Sequence, residues 1–582
     1  MRPTVLSSCL TGGLLAALGQ AAVLPPLEAP APATPAALEE RAARVTVALG
    51  PSATVVGASI GNVESFKGIP FADAPVGNLR FRPPQRLSRQ LGTYDATTLV
   101  PASCPQMFIS TESGDALFNA LGKLANLPLI QTITKVSEDC LNINVQRPVG
   151  VKAGDKLPVL FWIFGGGFEL GGTAMYDGGP LIQNGIDVGQ PFIFVAVNYR
   201  VGAFGFMPGA EIMAEGSSNA GLLDQRMGLE WTADNIAAFG GDPDRVTIWG
   251  ESAGAISVFD QMALYGGNIT YKSKPLFRAG IMNSGSLVPA DPMDCPKGKA
   301  VYAQVVRSAG CSAARDTLAC LRALPLDRFL PAANSVPGLL SYSSVALSYL
   351  PRPDGRVLPA SPDVLLASGR YAAVPMINGN QEDEGTLFSL FQRNVTSSDR
   401  LVTYLNDYFF QGAPRSTIEA LVGTYDWPYL TQGSPFGTGI LNEIYPGFKR
   451  LAAILGDLVF TLTRRAFLDI ANAVNPSVPS WSYLSSYNYG LPILGTFHGS
   501  DLLQVFYGIL PNYASRATMV YYTNFIYNMD PNVGVTGYMN WPRWSKGRML
   551  MNFFAKDASL IRDDFRSESA AFIKSNVANL YV

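Results

Sequence analysis

The segment VTIWGESAGA, residues 246–255, holds Ser252 between two glycines directly after a run of apolar and β-branched residues. The chemistry open to such a serine is nucleophilic attack, with flanking glycines that let the backbone bend tightly enough to thrust the hydroxyl forward. A serine hydroxyl is a weak nucleophile, and histidine, with a pKa near working pH, is its usual base. The chain has one histidine, His498, in GTFHGSD. A lone histidine is more often structural than reactive, but here it is the one base of its kind that Ser252 could recruit. The Gly-x-Ser-x-Gly pattern also recurs as GASIG at Gly57–Gly61, so the pentapeptide alone decides nothing.

The elements around the two matches separate them. From about residue 157 the runs LPVLFWIF, PFIFVAVNY, RVTIW, AGIMNS and AVPMING are continuously apolar, as strands buried on both faces are. Between them, LLDQRMGLEWTADNIAAF repeats Leu222, Leu223, Met227, Trp231, Ile236 and Phe239 at helical spacing. This alternation predicts an α/β fold with a large, mostly parallel sheet flanked by helices. TVVGASIGNVESFKGIPFA ahead of it reads as short antiparallel edge strands, with GASIG as a turn between them. GESAG instead follows a buried strand and precedes AISVFDQMAL, a helical sequence, so Ser252 has the strand-turn-helix setting that the chemistry needs.

A histidine base needs a carboxylate to fix its tautomer, and in α/β-hydrolases that acid lies between serine and histidine in the chain. AVPMINGNQEDEG offers Glu382, Asp383 and Glu384 after a predicted strand end, and spacing does not choose among them; the plain alternative is a solvated acidic loop. Donors for a developing oxyanion are expected from the N–H of Ala253 and from the glycine turn Gly165, Gly166 and Gly167 in WIFGGGFELGG. No Lys-Ser or Lys-Thr follows those glycines, which disfavours a phosphate loop.

Charged residues are only 15% of the chain, below the roughly 25% usual in soluble proteins. That fits a well-filled core with some apolar exposed surface. The formal net charge of −2, without any Lys/Arg run, leaves no footprint for nucleic acid. Residues 1–21 carry Arg2, an apolar stretch and then small residues, the layout of a signal peptide. Residues 22–44, rich in Pro and Ala, read as a propeptide or linker, and 45–582 as the catalytic domain of a secreted protein without stable membrane insertion. Beyond Cys9, the simplest local pairing joins Cys104 with Cys140 and Cys311 with Cys320 and leaves Cys295 free. With one histidine and no zinc-spaced cysteine pairs, no metal site is expected. Asn268-Ile-Thr and Asn394-Val-Thr are expected glycosylation acceptors.

The motifs SEDCLNINVQRP, FWIFGGGFELGG, GLLDQRMGLEWTADNIAAFGGDPDRVTIWGESAG, YLPRPDG, QEDEGTLF and GTFHGSD resemble those of the type-B carboxylesterase and lipase family of the α/β-hydrolase fold. The resemblance runs from about residue 45 to the C-terminus and is strongest toward the fungal branch of Candida rugosa-type lipases and sterol esterases. It implies Ser252 as nucleophile, His498 as general base, Glu384 as the acid, and Gly166 and Gly167 with Ala253 as oxyanion donors, with no cofactor. Where some members carry histidine before the glycines, this chain has Phe164. The family's pattern agrees with the two cysteine pairings. In DALFNALGKLANLPLI, Leu117, Leu121 and Leu124 lie at helical spacing, beside Phe118. By resemblance, residues about 105–139 form a disulfide-tethered lid; the bland alternative is an amphipathic helix packed permanently on the core. The implied substrates are lipid esters at a lipid–water interface, steryl esters and triacylglycerols, turned over by a monomer or a lid-mediated dimer. A soluble carboxylesterase for short esters and a non-enzymatic adhesion module are the competing readings.

Overall fold

The computed structural model describes residues 43–108, 135–426, 428–488, 491–509 and 511–582. Its strands are β1 (Ala43–Gly50), β2 (Ala53–Ile60), β3 (Val63–Pro70), β4 (Gly92–Asp95), β5 (Asn142–Pro148), β6 (Leu157–Ile163), β7 (Ile193–Val197) and β8 (Gly241–Glu251), followed by β9 (Thr270–Tyr271), β10 (Lys274–Pro275), β11 (Ala279–Asn283), β12 (Met376–Gln381), β13 (Ser480–Ser485), β14 (Met549–Phe553) and β15 (Ala558–Arg562). The main sheet runs in the order β1-β2-β3-β5-β7-β6-β8-β11-β12-β13-β14-β15, with β4 beside β2 and a separate β9–β10 hairpin. Pairing is parallel from β7 through β6, β8, β11, β12 and β13 to β14, and antiparallel at β2–β3, β3–β5, β5–β7 and β14–β15. The parallel centre and antiparallel flanks follow the sequence pattern, since strands covered by helices on both faces lose their polar alternation.

The strands that deliver the glycine turn and Ser252 are locked by aromatic packing. Trp162 of β6 and Trp249 of β8 are in register, with ring centroids 4.5 Å apart, and Phe506 stacks on Trp249 at 5.4 Å. Both tryptophans are fully buried, and each such ring contributes area burial plus a specific edge-to-face contact. Arg44–Val582 forms one compact unit. A second apolar cluster, with Phe388, Phe409, Ile454, Phe460 and Ile573, packs over the carboxyl ends of the central strands, where open α/β sheets place their sites.

Three details differ from the sequence pattern. GASIG is not a turn throughout: Gly57–Ile60 belong to β2, and only Gly61, at φ +59°, turns the chain. Gly57 is required for packing, because a Cβ there would stand 2.4 Å from Phe66. Leu223, Met227 and Trp231 do not form the deepest face of the helix Ala220–Asn235. They are half-buried, while Asp224, Gln225, Gly228 and Thr232 are buried, and Asp224 is compensated by two close bonds from Arg200 at 2.7 and 2.8 Å. The first strand also begins at Ala43, slightly ahead of residue 45.

Candidate active site

β8 ends at Glu251, and Ser252 occupies φ 57°, ψ −127° before the helix Ala253–Ala263 opens. A non-glycine residue in this region costs on the order of 1–3 kcal/mol and persists only when its surroundings over-determine it. Here the Ser252 N–H donates to the Asn283 carbonyl at 2.9 Å, and its carbonyl accepts from Ile256 N–H at 3.0 Å. The flanking glycines answer to space rather than to flexibility. A Cβ on Gly250 would meet the Gly254 carbonyl oxygen at 2.2 Å, and one on Gly254 would meet the Ile163 oxygen at 2.1 Å. Gly254→Ala must therefore push the helix off β6, against backbone that cannot yield. We expect a loss of more than about 4 kcal/mol, read as little or no folded protein in thermal unfolding; a near wild-type Tm would contradict that packing.

His498 lies between β13 and β14, with its Nε2 2.8 Å from Ser252 Oγ and its Nδ1 2.6 Å from Glu384 Oε2. Glu384 follows β12 and is held in turn through Oε1, which accepts from Gln381 N–H at 2.7 Å. The other two acids of that run turn elsewhere. Asp383 accepts from Thr496 N–H at 2.9 Å, Phe436 N–H at 2.8 Å and Ser434 Oγ–H at 2.9 Å. It thus fastens the histidine loop to the acid turn. Glu382, whose N–H donates to the Ser485 carbonyl, is pushed by burial up to about 7.

Two carboxylates not singled out by sequence crowd the imidazole. Glu251 Oε1 stands 3.3 Å from His498 Nε2, and Asp501 accepts from Asn283 Nδ2 at 2.9 Å. Burial disfavours the imidazolium, but Glu251 and Glu384 outweigh it and raise His498 to about 9. Burial likewise lifts Glu251 to about 8 and Asp501 to about 6. The signal was within reach, since Glu251 sits inside GESAG and Asp501 inside GTFHGSD.

The glycine turn after β6 approaches the serine from the other side. Gly166 and Gly167 have φ +110° and +63°, and Gly167, Ala253 and Ser252 share the wall of a cavity of about 500 Å³. Ala253 opens its helix, so its N–H is one of the four that lack an intrahelical acceptor. Gly166 shapes the turn, its carbonyl accepting from Glu169 and Leu170 N–H. Phe164 stacks on Tyr199 with centroids 4.2 Å apart, and the Tyr199 hydroxyl donates to its carbonyl. Leu347, Phe388, Phe460, Ile573 and Leu580 share the cavity's lining, which is mostly apolar, with Asp363, Thr463 and Lys574 among its polar members.

Cys104 joins Cys140 and Cys311 joins Cys320, while Cys295 is buried and free. Arg80 pairs in bidentate fashion with Glu138, beside Cys140. Leu117, Phe118, Leu121 and Leu124, the apolar face expected of the lid, fall outside the described residues. Asn268 and Asn394 are both exposed. Among the described residues no helix is long and apolar enough to cross a membrane, and no group of His, Cys, Asp or Glu is placed to hold a metal.

Serine, carboxylate and histidine arriving in that chain order after the parallel strands β8, β12 and β13 is the α/β-hydrolase arrangement. The model of the carboxylesterase family matches residues 43–573, and the chain belongs to that family. It is a carboxylic ester hydrolase. The chain is 64% identical to a protein of Gibberella zeae named as a secreted triacylglycerol lipase, over 95% of this chain and 93% of that one. It is 44% identical to lipase 2 of Diutina rugosa, over 93% and 98% of the two chains. The crystal structure of Aspergillus niger EstA is similar, with a TM-score of 0.78 at 27% identity, covering 93% of this chain and 99% of that one.

Proposed function

We propose that the protein is a secreted serine esterase acting on water-insoluble, long-chain esters, triacylglycerols and steryl esters among them. The observation that carries this is that Ser252, hydrogen-bonded to His498 and through it to Glu384, stands in the wall of a largely apolar cavity. Ser252 Oγ attacks the ester carbonyl carbon while its proton passes to His498 Nε2. The N–H groups of Gly166, Gly167 and Ala253 receive the charge on the carbonyl oxygen. The alcohol leaves with the proton from His498, and water, deprotonated by the same nitrogen, then cleaves the acyl-enzyme. Glu384 holds the ring and balances its charge throughout.

Relatives named as secreted lipases support both the extracellular setting and the lipid substrate. A polar or short ester would leave most of the apolar cavity unfilled, which disfavours the short-ester carboxylesterase. The test is the initial hydrolysis rate on triolein, cholesteryl oleate and a short soluble ester. Preference for the two insoluble esters is expected, and turnover of the short ester alone would overturn the reading.

A further inference from the structure

We propose that Glu169 is a positioning residue that sets the oxyanion turn against the apolar wall of the substrate cavity, and through that spacing tunes the preference for long over short acyl chains. The inference rests on the ester-hydrolase reading of the cavity. Residues 338–349 form neither strand nor helix, yet Leu339, Val345 and Leu347 supply the wall facing Gly167. One side chain reaches this irregular stretch near both ends, beside local bonds such as those from the Ser348 and Tyr349 hydroxyls to the Pro337 and Ala333 carbonyls. Glu169 Oε2 accepts from Leu339 N–H at 2.6 Å, and Oε1 from Tyr349 N–H at 3.4 Å.

The backbone of the same residue closes the oxyanion turn. Its N–H donates to the Gly166 carbonyl at 3.1 Å, and its carbonyl accepts from Met107 N–H at 3.0 Å. Leu339 consequently lies against the turn, its Cδ2 only 3.1 Å from where a Cβ on Gly167 would stand. A shift of the Leu339 end is therefore felt directly at a proposed oxyanion donor and at the acyl-chain wall together.

Glu169 is fully buried, and an apolar residue of similar volume would avoid its desolvation cost. Burial pushes its carboxyl up to about 8, against the pull of the Leu339 and Tyr349 N–H groups. It touches neither the Ser252–His498 contact nor the nucleophile turn, so its effect on turnover must run through the wall and the turn.

The experiment compares Glu169→Leu, Glu169→Gln and Gly338→Ala with wild type on triolein and a short soluble ester, with Tm measured alongside. Glu169→Leu removes both acceptors at similar volume, and is expected to lower the long-to-short ratio of kcat/KM about tenfold, the scale of a sub-ångström misplacement. Glu169→Gln keeps one carbonyl acceptor for Leu339 N–H and should restore most of the ratio. Gly338→Ala leaves Glu169 in place but sets a methyl 3.3 Å from its Oε2 and 3.0 Å from Met107 Cε, so it should move the ratio in the same direction. It carries the test if Glu169→Leu does not fold. A wild-type ratio in the folded variants, whatever their Tm, would overturn the proposal and leave Glu169 with a purely structural part. Ser252→Ala assayed beside them separates the two levels: an active Ser252→Ala overturns the ester-hydrolase reading itself, whereas a silent one with unchanged ratios overturns this inference alone.

Discussion

Ser252→Ala is expected to reduce ester turnover by about 10⁵-fold or more while leaving the fold intact. The alanine keeps the turn, because the corner is imposed by the contacts of Gly250 and Gly254 and by the Asn283 carbonyl rather than by the hydroxyl. What it removes is the oxygen 2.8 Å from His498 Nε2, for which no other hydroxyl in the described relay substitutes. The measurement is paired: hydrolysis rate, and intact mass after a fluorophosphonate probe. Wild type should gain one adduct and Ser252→Ala none, with Tm moving by no more than a few degrees. Turnover within a hundredfold of wild type would mean that the attacking oxygen lies elsewhere.

How much of this was legible in the sequence depended on whether a residue's role is set locally or across the chain. Ser252 could be read because a strand, a two-glycine corner and a helix are all local patterns. His498 could be read because no other histidine competes. The central parallel strands were visible for a similar reason, as burial on both faces erases alternation within a single segment. Spacing failed at QEDEG, where three consecutive acids present the same local signal. The three-dimensional answer comes from partners far along the chain, Thr496 and Phe436 for Asp383 and His498 for Glu384.

The same limit hid the residues that shape the site without belonging to its motif. Asn283 anchors the Ser252 N–H and, through its side chain, Asp501; nothing in AGIMNS announces either contact. Glu169 stands inside the glycine motif, yet its partners at Leu339 and Tyr349 lie far away in sequence. The second Gly-x-Ser-x-Gly shows the converse error, since a local pattern suggested a turn where the packing of Gly57 against Phe66 continues a strand.

Glu384→Gln should lower kcat by about 10³- to 10⁴-fold, with little change in stability. The reason lies in how the carboxylate is held. Oε1 accepts from Gln381 N–H at 2.7 Å, so a glutamine must put its amide oxygen there and turn its NH₂ toward His498. Nδ1 then has to accept rather than donate, which moves the ring proton to Nε2, the atom 2.8 Å from Ser252 Oγ. A protonated Nε2 cannot take the serine proton, so the base is lost although every heavy atom stays in place. Neither neighbouring acid can step in: Asp383 is committed to Thr496, Phe436 and Ser434, and Glu251 approaches the ring from the Nε2 side. Single-turnover acylation with a chromogenic ester, measured across pH, reads the effect directly. A fall of less than tenfold would mean that another carboxylate orients the ring, and Glu251→Gln made in the same background would identify it.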